Sequence, residues 1–550
     1  MSLKHWIALA AVVSGCVSSH TARAEWRLEK PIAIYVGPDA RGSLLADMNG
    51  DGLLDIVTQY GMFNLWKCGV SVTLQTPDGF SWPATYEIDD CHFEQLALAN
   101  ITPDPGLEIV MRTSFNHPDW SYRMLEYRAD TNTLVHVENF GFLGWGIGFG
   151  VLDVNQDRRD DLWEVFEDSD SSKPEVTFRY KIAYARANDR LPDGKKSVGW
   201  LRGYTSARFA FSGITDQRGM TATSKAAVSQ YQVDLDADGY FDAFSGLCPT
   251  KCLFRQEPWG QLRTMPTVGE TANVFGDIDG DGLPDALLGG RDADGFTIEV
   301  ALQTAPYHFE HVGTLTPFLR VGMPAIVDMD LNGLADFAFG GENGPGTGAM
   351  FVYRQIEPGV FQGSALIDAG WPLFAARAGD LNNDGCPDLL TANELMADHN
   401  HMNLYRGVGC EVGDLAVTTD VRANKAVVSV AHVRGTKALA LRTMRVNISP
   451  AVKDPTPLGF QVRPPEGCVE RPADVPRRMF DCVFDMAAGT TREFVFNLSM
   501  AAGKEAQVHT IAFLLDEGGD GNPLNNRSRV DAYWRHVTGS ADTVPTGIRR

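Results

Sequence analysis

Aspartate recurs on alternate residues of a nine-residue pattern whose clearest copy is DIDGDGLPD. Asp277, Asp279 and Asp281 stand at positions one, three and five, and Asp285 stands at position nine. Side chains on alternate residues of a tight turn point toward one centre, and Gly282 at position six supplies the positive φ that wraps the chain around it. Such a ring of oxygens is cation chemistry. With a backbone carbonyl near position seven it makes the six-to-seven-oxygen sphere that Ca2+ accepts and the rigid octahedron of Mg2+ does not favour.

The pattern returns at Asp47, Asn49, Asp51 and Asp55; at Asp153, Asn155, Asp157 and Asp161; at Asp234, Asp236, Asp238 and Asp242; at Asp328, Asp330, Asn332 and Asp336; and at Asp380, Asn382, Asp384 and Asp388. These residues are the candidate ligands of about five or six calcium ions. The loop at 153 keeps its oxygens but carries Arg158 where glycine belongs, which makes it the weaker site. A further copy, Asn100, Thr102, Asp104 and Glu108, has Pro105 in the turn and is expected to hold its shape without metal. For any single loop the bland alternative is a turn held by its own Asp and Asn side chains. Repetition favours calcium.

The elements that position these loops follow from their spacing. Successive starts lie 53, 53, 81, 43, 51 and 52 residues apart. After Asp285 come the short apolar strand Ala286 to Leu288, a Gly-rich turn, and Phe296 to Leu302, in which apolar residues alternate as on a half-buried strand. A period near fifty built of short strands is the size of one four-stranded propeller blade. The long interval holds about thirty extra residues, roughly 167–229, read as a surface excursion from the third unit. The last unit has His401 to Gly407 as its third strand and lacks a fourth. Pro31 to Val36, PIAIYV, is placed to supply it and to hide the sheet edge.

From Gly413 the loops stop, and strands are predicted at Leu415 to Val421, Ala426 to Val433, Leu439 to Ile448, Arg478 to Phe484, Phe494 to Leu498 and His509 to Leu515. About seven strands over this length suggest an Ig-like sandwich. The expected fold is all-β: a seven-bladed β-propeller over 25–411, an Ig-like β-sandwich over 412–535 and a flexible tail over 536–550.

Residues 1–24 look like an export signal, with Lys4, the apolar run Trp6 to Val13, and Ala22-Arg23-Ala24 as the cleavage site. Val13-Ser14-Gly15-Cys16 also resembles a lipobox, so a lipid anchor at Cys16 is the alternative. Eight cysteines remain beside Cys16, and proximity pairs Cys68 with Cys91, Cys248 with Cys252, Cys386 with Cys410 and Cys468 with Cys482. An even set suits disulfides in an oxidising compartment, hence a secreted, periplasmic or cell-surface protein. Cys248 and Cys252 also admit redox or metal chemistry. The formal charge of −22 argues against nucleic acid or an anionic membrane as the main partner. No later stretch is long and apolar enough to span a bilayer.

DIDGDGLPD and its sisters resemble the D-x-[DN]-x-D-G-x-x-D loop of the FG-GAP/VCBS repeat family, which includes the propellers of integrin α subunits. The resemblance covers about Pro31 to Cys410. It implies calcium between the first and second strands of each blade on one face, with ligands bound at the other. The Phe-Gly of the family name survives at Phe275-Gly276, and no Gly-Ala-Pro partner is found. Asp520 to Asn526 gives the C-terminal part a weaker likeness to Ig-like modules of bacterial exported proteins.

These features describe an adhesion or binding module for an extracellular protein or glycan. The alternative is a calcium-dependent enzyme acting on polysaccharide or lipid. A nucleophile elbow, a zincin helix and a P-loop were sought and not found, so no catalytic residue is assigned and the chain is expected not to be an enzyme. Asp398-His399-Asn400-His401 places two histidines on one strand face, where they would suit a transition metal if they are not simply solvated. Trp145, Trp163, Trp200, Tyr204, Trp259 and Trp371 are either sugar platforms or blade packing. Calcium held by the loops is folding energy, because their carboxylates repel one another when empty. Chelation is therefore expected to lower the melting temperature by several degrees, and an unchanged melt in excess EDTA would count against calcium stabilisation.

Overall fold

The computed structural model describes residues 26–535 apart from breaks, the longest at 186–200, 211–230 and 516–525. The expected leader, with Cys16, and the tail lie outside the described residues. Among the described residues there is no α-helix, and almost every element is an antiparallel strand.

The repeat around Asp277 shows how the pattern folds. Ala272–Gly276, Asp285–Arg291, Phe296–Ala305 and His308–Phe318 pair in sequence order as one sheet. Ile298 and Val300 are buried while Glu299 between them is not, the alternation expected of a strand with one face in the core. Seven such sheets of four or five strands occupy the region of the seven loops.

Neighbouring sheets share cores. Val57 and Val70 of the first sheet pack with Ile109 and Leu125 of the second, and Val110 and Met124 of the second pack with Val151 and Leu162 of the third. Trp163 of the third lies edge-on to Phe254 of the fourth. Leu235 meets Ala286 and Ala301 of the fifth sheet, Leu287 meets Phe337 of the sixth, and Met350 meets Leu389 of the seventh. The seventh in turn packs on the first through Leu390 and Met402 against Ala40 and Ile56. Glycine marks two of these approaches. A Cβ on Gly276 would come within 2.8 Å of Ile326 of the next repeat, and one on Gly379 within 2.5 Å of Leu54. Phe275 packs against Phe309, so the surviving Phe-Gly pair is a packing device here.

The expected N-terminal strand is found as Ile32–Tyr35, paired with His401–Tyr405 so that Ile32 faces Leu404 and Tyr35 faces His401. It completes the seventh sheet. A second correspondence is the disulfide between Cys386 and Cys410, with Cα atoms 5.8 Å apart. The expected excursion over 167–229 needs correction. Asp161–Asp168 runs through Glu167, and Thr177–Tyr184 is the third strand of its sheet, with Leu201–Gly203 paired beyond it. Alternating Phe178, Tyr180 and Ile182 belong to a strand, and the charge around them concealed it.

The C-terminal part forms two sheets around one core. Gly413–Arg422, Lys425–Gly435, Thr491–Ser499 and Gln461–Arg463 make one; Cys468–Arg471, Arg478–Met486, Leu439–Pro450, Glu505–Leu514 and Arg527–Arg535 make the other. Val417, Val428 and Phe496 of the first meet Met444, Phe480 and Leu514 of the second. Cys468 and Cys482 are opposite in register and disulfide-bonded. Cys68 is also disulfide-bonded, while Cys91 and Cys248 lie outside the described residues.

Ile34 is nearly buried and covers Met402 and Leu404, which are fully buried. Deleting residues 26–36 would expose that apolar face and an unpaired strand edge. The expected outcome is a lower denaturation midpoint and concentration-dependent association, read by sedimentation velocity.

Candidate metal centres

The acid at position nine is the most deeply set polar residue of each loop. Asp55, Glu108, Asp161, Asp242, Asp285, Asp336 and Asp388 are each at most 1 % exposed. One oxygen accepts the amide of the loop's second residue: Met48 to Asp55 at 2.8 Å, Ile278 to Asp285 at 2.6 Å, Met329 to Asp336 at 2.9 Å, Leu381 to Asp388 at 2.9 Å. The other oxygen accepts an amide at or just past the end of the third strand. Those donors are Gln75, Gln303, Gln355 and Gly407, at 2.9, 2.7, 2.7 and 2.9 Å. Asp161 and Asp242 repeat the arrangement. In the loop expected to need no metal, Glu108 accepts from the amides of Ile101 and Thr102 and from the Thr102 hydroxyl.

Position one caps the turn. Asp277 accepts from Gly280 and Gly282 at 2.8 and 2.9 Å, and Asp47 from Gly50, Asp51 and Gly52. The glycines at position six have the expected positive φ, from 84° at Gly52 to 98° at Gly333. Position four is left-handed too. It is occupied by Ala237, Leu331 and Asn383 at φ between 50° and 58°, a strain that only a well-determined turn sustains.

Three loops bring three carboxylates together, with one oxygen from each lying within 4.8 Å of the others: Asp234, Asp236 and Asp238; Asp277, Asp279 and Asp285; and Asp328, Asp330 and Asp336. Oxygens on opposite sides of a Ca2+ ion with bonds of 2.3–2.6 Å stand about 4.8 Å apart, so each of the three sets is compact enough to hold one. Asp242 and Asp281 stand outside these sets. The loops at 47 and 380, with Asn49 and Asn382 at position three, assemble no such acidic trio, because an amide replaces one acid. There Asn49 and Asn382 each donate to the acid at position five, Asp51 and Asp384, at 2.9 Å. At 153, Val154 and Asn155 cap Asp161, while Asp157 lies outside the described residues.

Residues 328–391 match the FG-GAP-like repeat. That span carries the loops at 328 and 380 and the sheet between them. No curated protein matches the chain.

Burial dominates the electrostatics of the repeats. It pushes Asp55 and Asp285 up to about 7 and Asp336 and Asp388 up to about 8, against the pull of their amide hydrogen bonds, with nearby loop aspartates adding to the rise. Asp277 is likewise raised to about 7 by burial, with Asp285 and Asp281 contributing.

Two sets of residues went unnoticed in the sequence. Glutamine stands at or just past the end of the third strand of four repeats. Gln303 Nε2 donates to the Leu235 carbonyl of the preceding loop at 2.9 Å, Gln355 Nε2 to that of Ile278 at 2.6 Å, and Gln256 to that of Asp153. The signal was legible as Gln75, Gln256, Gln303 and Gln355, each 14 to 20 residues after a position-nine acid. Arginine is the second set. Arg477 and Arg255 face Asp236, Arg527 faces Asp234, Arg354 faces Asp330, Arg434 faces Asp380 and Arg529 faces Asp153. Among the described residues no basic side chain pairs with a carboxylate of the loops at 47 or 277.

Trp163 is buried against Phe254 and is no sugar platform; the other aromatic candidates lie outside the described residues. The exposed tryptophan is Trp82, 71 % accessible and stacked on Tyr35. His399 lies outside the described residues, and His401 sits edge-on to Tyr35.

A buried acid whose folded pKa is raised favours folding while protonated. Its contribution is present below the unfolded value near 3.9 and is lost as pH rises through 7 to 8, each tenfold change in proton affinity being worth about 1.4 kcal/mol. Calcium-free protein is therefore expected to lose denaturation midpoint from pH 5 to pH 8. Saturating calcium is expected to flatten that slope, and urea titrations across the range check both.

Proposed function

We propose that this chain is an exported binding module whose seven repeat sheets form a closed, calcium-stabilised β-propeller over 25–411, followed by an Ig-like sandwich over 412–535. The observation that carries the reading is the convergence of carboxylate oxygens in the loops at 277 and 328. These are hard, anionic, correctly spaced donors, set on left-handed turns that hold them in place. The FG-GAP-like match at 328–391 supports an extracellular, adhesion-like role. Contact between the seventh and first sheets supports ring closure.

In this reading Asp277, Asp279 and Asp285, and likewise Asp328, Asp330 and Asp336, hold calcium. The ion supplies charge neutralisation and rigidity, and chemistry is not its role. Asp47, Asn49 and Asp51 form a further candidate ring. The partner is an extracellular protein or glycan, bound on the face away from the loops. Disulfides and the absence, among the described residues, of a helix able to cross a membrane are compatible with export.

The test is binding of the labelled mature protein to an array of glycans and extracellular proteins, in calcium and in EDTA. A saturable signal that falls at least tenfold in EDTA is expected. Release of reducing sugar or free lipid instead would convert the reading to an enzyme.

A further inference from the structure

The loop at 234 has the most deeply buried of the three acidic trios, and arginines already reach an oxygen of each of its carboxylates. Arg477, from the segment leading into Arg478–Met486 of the sandwich, lies 3.3 Å from Asp236 and 3.6 Å from Glu257, and pairs with Asp238. Arg255, from the repeat's own third strand, lies 2.7 Å from Asp236 and 3.7 Å from Asp238. Both guanidiniums are buried, Arg477 at 5 % and Arg255 at 8 % exposure. Arg527 reaches Asp234 at 3.7 Å while lying 4.0 Å above the Phe241 ring.

The loop's peptide carbonyls are taken in the same way. Ala237 accepts from Arg445 at 3.2 Å, Asp238 from the Asn447 side-chain amide, and Gly239 from Arg527. Arg445 is itself fixed by two bonds to Asp481, at 2.8 and 3.1 Å. Tyr240, at position seven, hydrogen-bonds His509 at 2.9 Å. Every one of these donors except Arg255 comes from the sandwich. A Ca2+ ion that needs six to seven oxygens has no place where two planar guanidiniums already bridge Asp236 and Asp238, so the residues here do not fit calcium.

We propose that the loop at 234 is a guanidinium socket, in which Arg477 and Arg255 hold the charge that calcium holds in sister loops and which fastens the sandwich to the repeats without metal. The contrast with calcium loops rests on the reading above; the fastening does not. The socket also commits the sandwich to the loop side of the repeat domain: Arg529 meets Asp153 at 3.4 Å and Arg434 meets Asp380 at 3.1 Å.

The test uses the full mature chain, stripped with EDTA and re-equilibrated with CaCl2, with bound calcium counted by mass spectrometry. Asp277→Asn/Asp279→Asn is expected to lower the count by one and Asp236→Asn/Asp238→Asn to leave it unchanged; a loss of one in the second variant overturns the socket. Should that variant fail to fold, terbium replaces it. Excitation through tyrosine should be the same in wild type and Tyr240→Phe, and a drop in Tyr240→Phe would place an ion in this loop and overturn the socket. The fastening is read by limited proteolysis between 406 and 414. Wild type in EDTA should stay protected while Arg477→Gln is cut at least tenfold faster in calcium and in EDTA alike. Cleavage of wild type in EDTA as fast as Arg477→Gln would make the joint calcium-dependent and overturn the proposal. A wild-type count of zero calcium with the joint intact would remove the calcium reading and leave the socket standing.

Discussion

Two backbone amides on one buried carboxylate hold each repeat in shape. The acid at position nine opens the second strand, caps the start of the loop with one oxygen and catches the chain leaving the third strand with the other. Both partners are peptide groups that would otherwise be buried without acceptors, at a cost of about 1–3 kcal/mol each. This explains why position nine stays acidic in all seven copies while the presumed ligand positions vary. Glu108 caps the start of its loop in the same way, where there is neither the glycine nor the full set of ligand oxygens, with its second oxygen taking the Thr102 hydroxyl. The carboxylate is thus a fold determinant first, and any ion it touches is added to a turn that is already defined.

A turn lined with acids must then settle its charge. The repeats differ in how they do so: among the described residues no basic side chain meets the carboxylates of the loops at 47 and 277, whereas arginines approach the loops at 153, 234, 328 and 380. Burying an ion pair is not in itself a large stabiliser, since desolvation offsets most of the Coulomb gain. What a pair of planar, multidentate guanidiniums gives at 234 is direction. Donors from two strands of the sandwich land on consecutive carbonyls of one turn, which fixes orientation as well as contact.

The repeat architecture was legible because each copy carries its own punctuation: alternating acids, a glycine forced to positive φ, then an apolar strand. The strand at Ile32–Tyr35 falls within the expected Pro31 to Val36, and the one after Asp285 starts as expected but runs to Arg291, past Leu288 and through the glycines read as a turn. Thr177–Tyr184 was missed because a charge-rich stretch beside it masked a regular alternation of large apolar residues. The arginines were not legible as loop partners. Arg477 is more than two hundred residues from Asp236, and nothing local in Asp474-Val-Pro-Arg-Arg478 distinguishes it from Arg478 beside it, which pairs at the surface with Glu470. Position four was equally hidden, since Ala237 and Leu331 have no propensity for the left-handed region and take it only because the turn around them allows no other path.

The pairing of Ile32–Tyr35 with His401–Tyr405 has a consequence for the order of events during folding. Contacts within a repeat are local and can form as each segment becomes available, but this one joins the two ends of the whole repeat region. Bringing such distant segments together adds little to the equilibrium cost, because closure entropy grows only logarithmically with length. It does delay the contact, since no earlier partner rewards the search. Ile32–Tyr35 is therefore expected to join its sheet after the other three strands, and until then the edge of His401–Tyr405 stands open to any extended segment nearby.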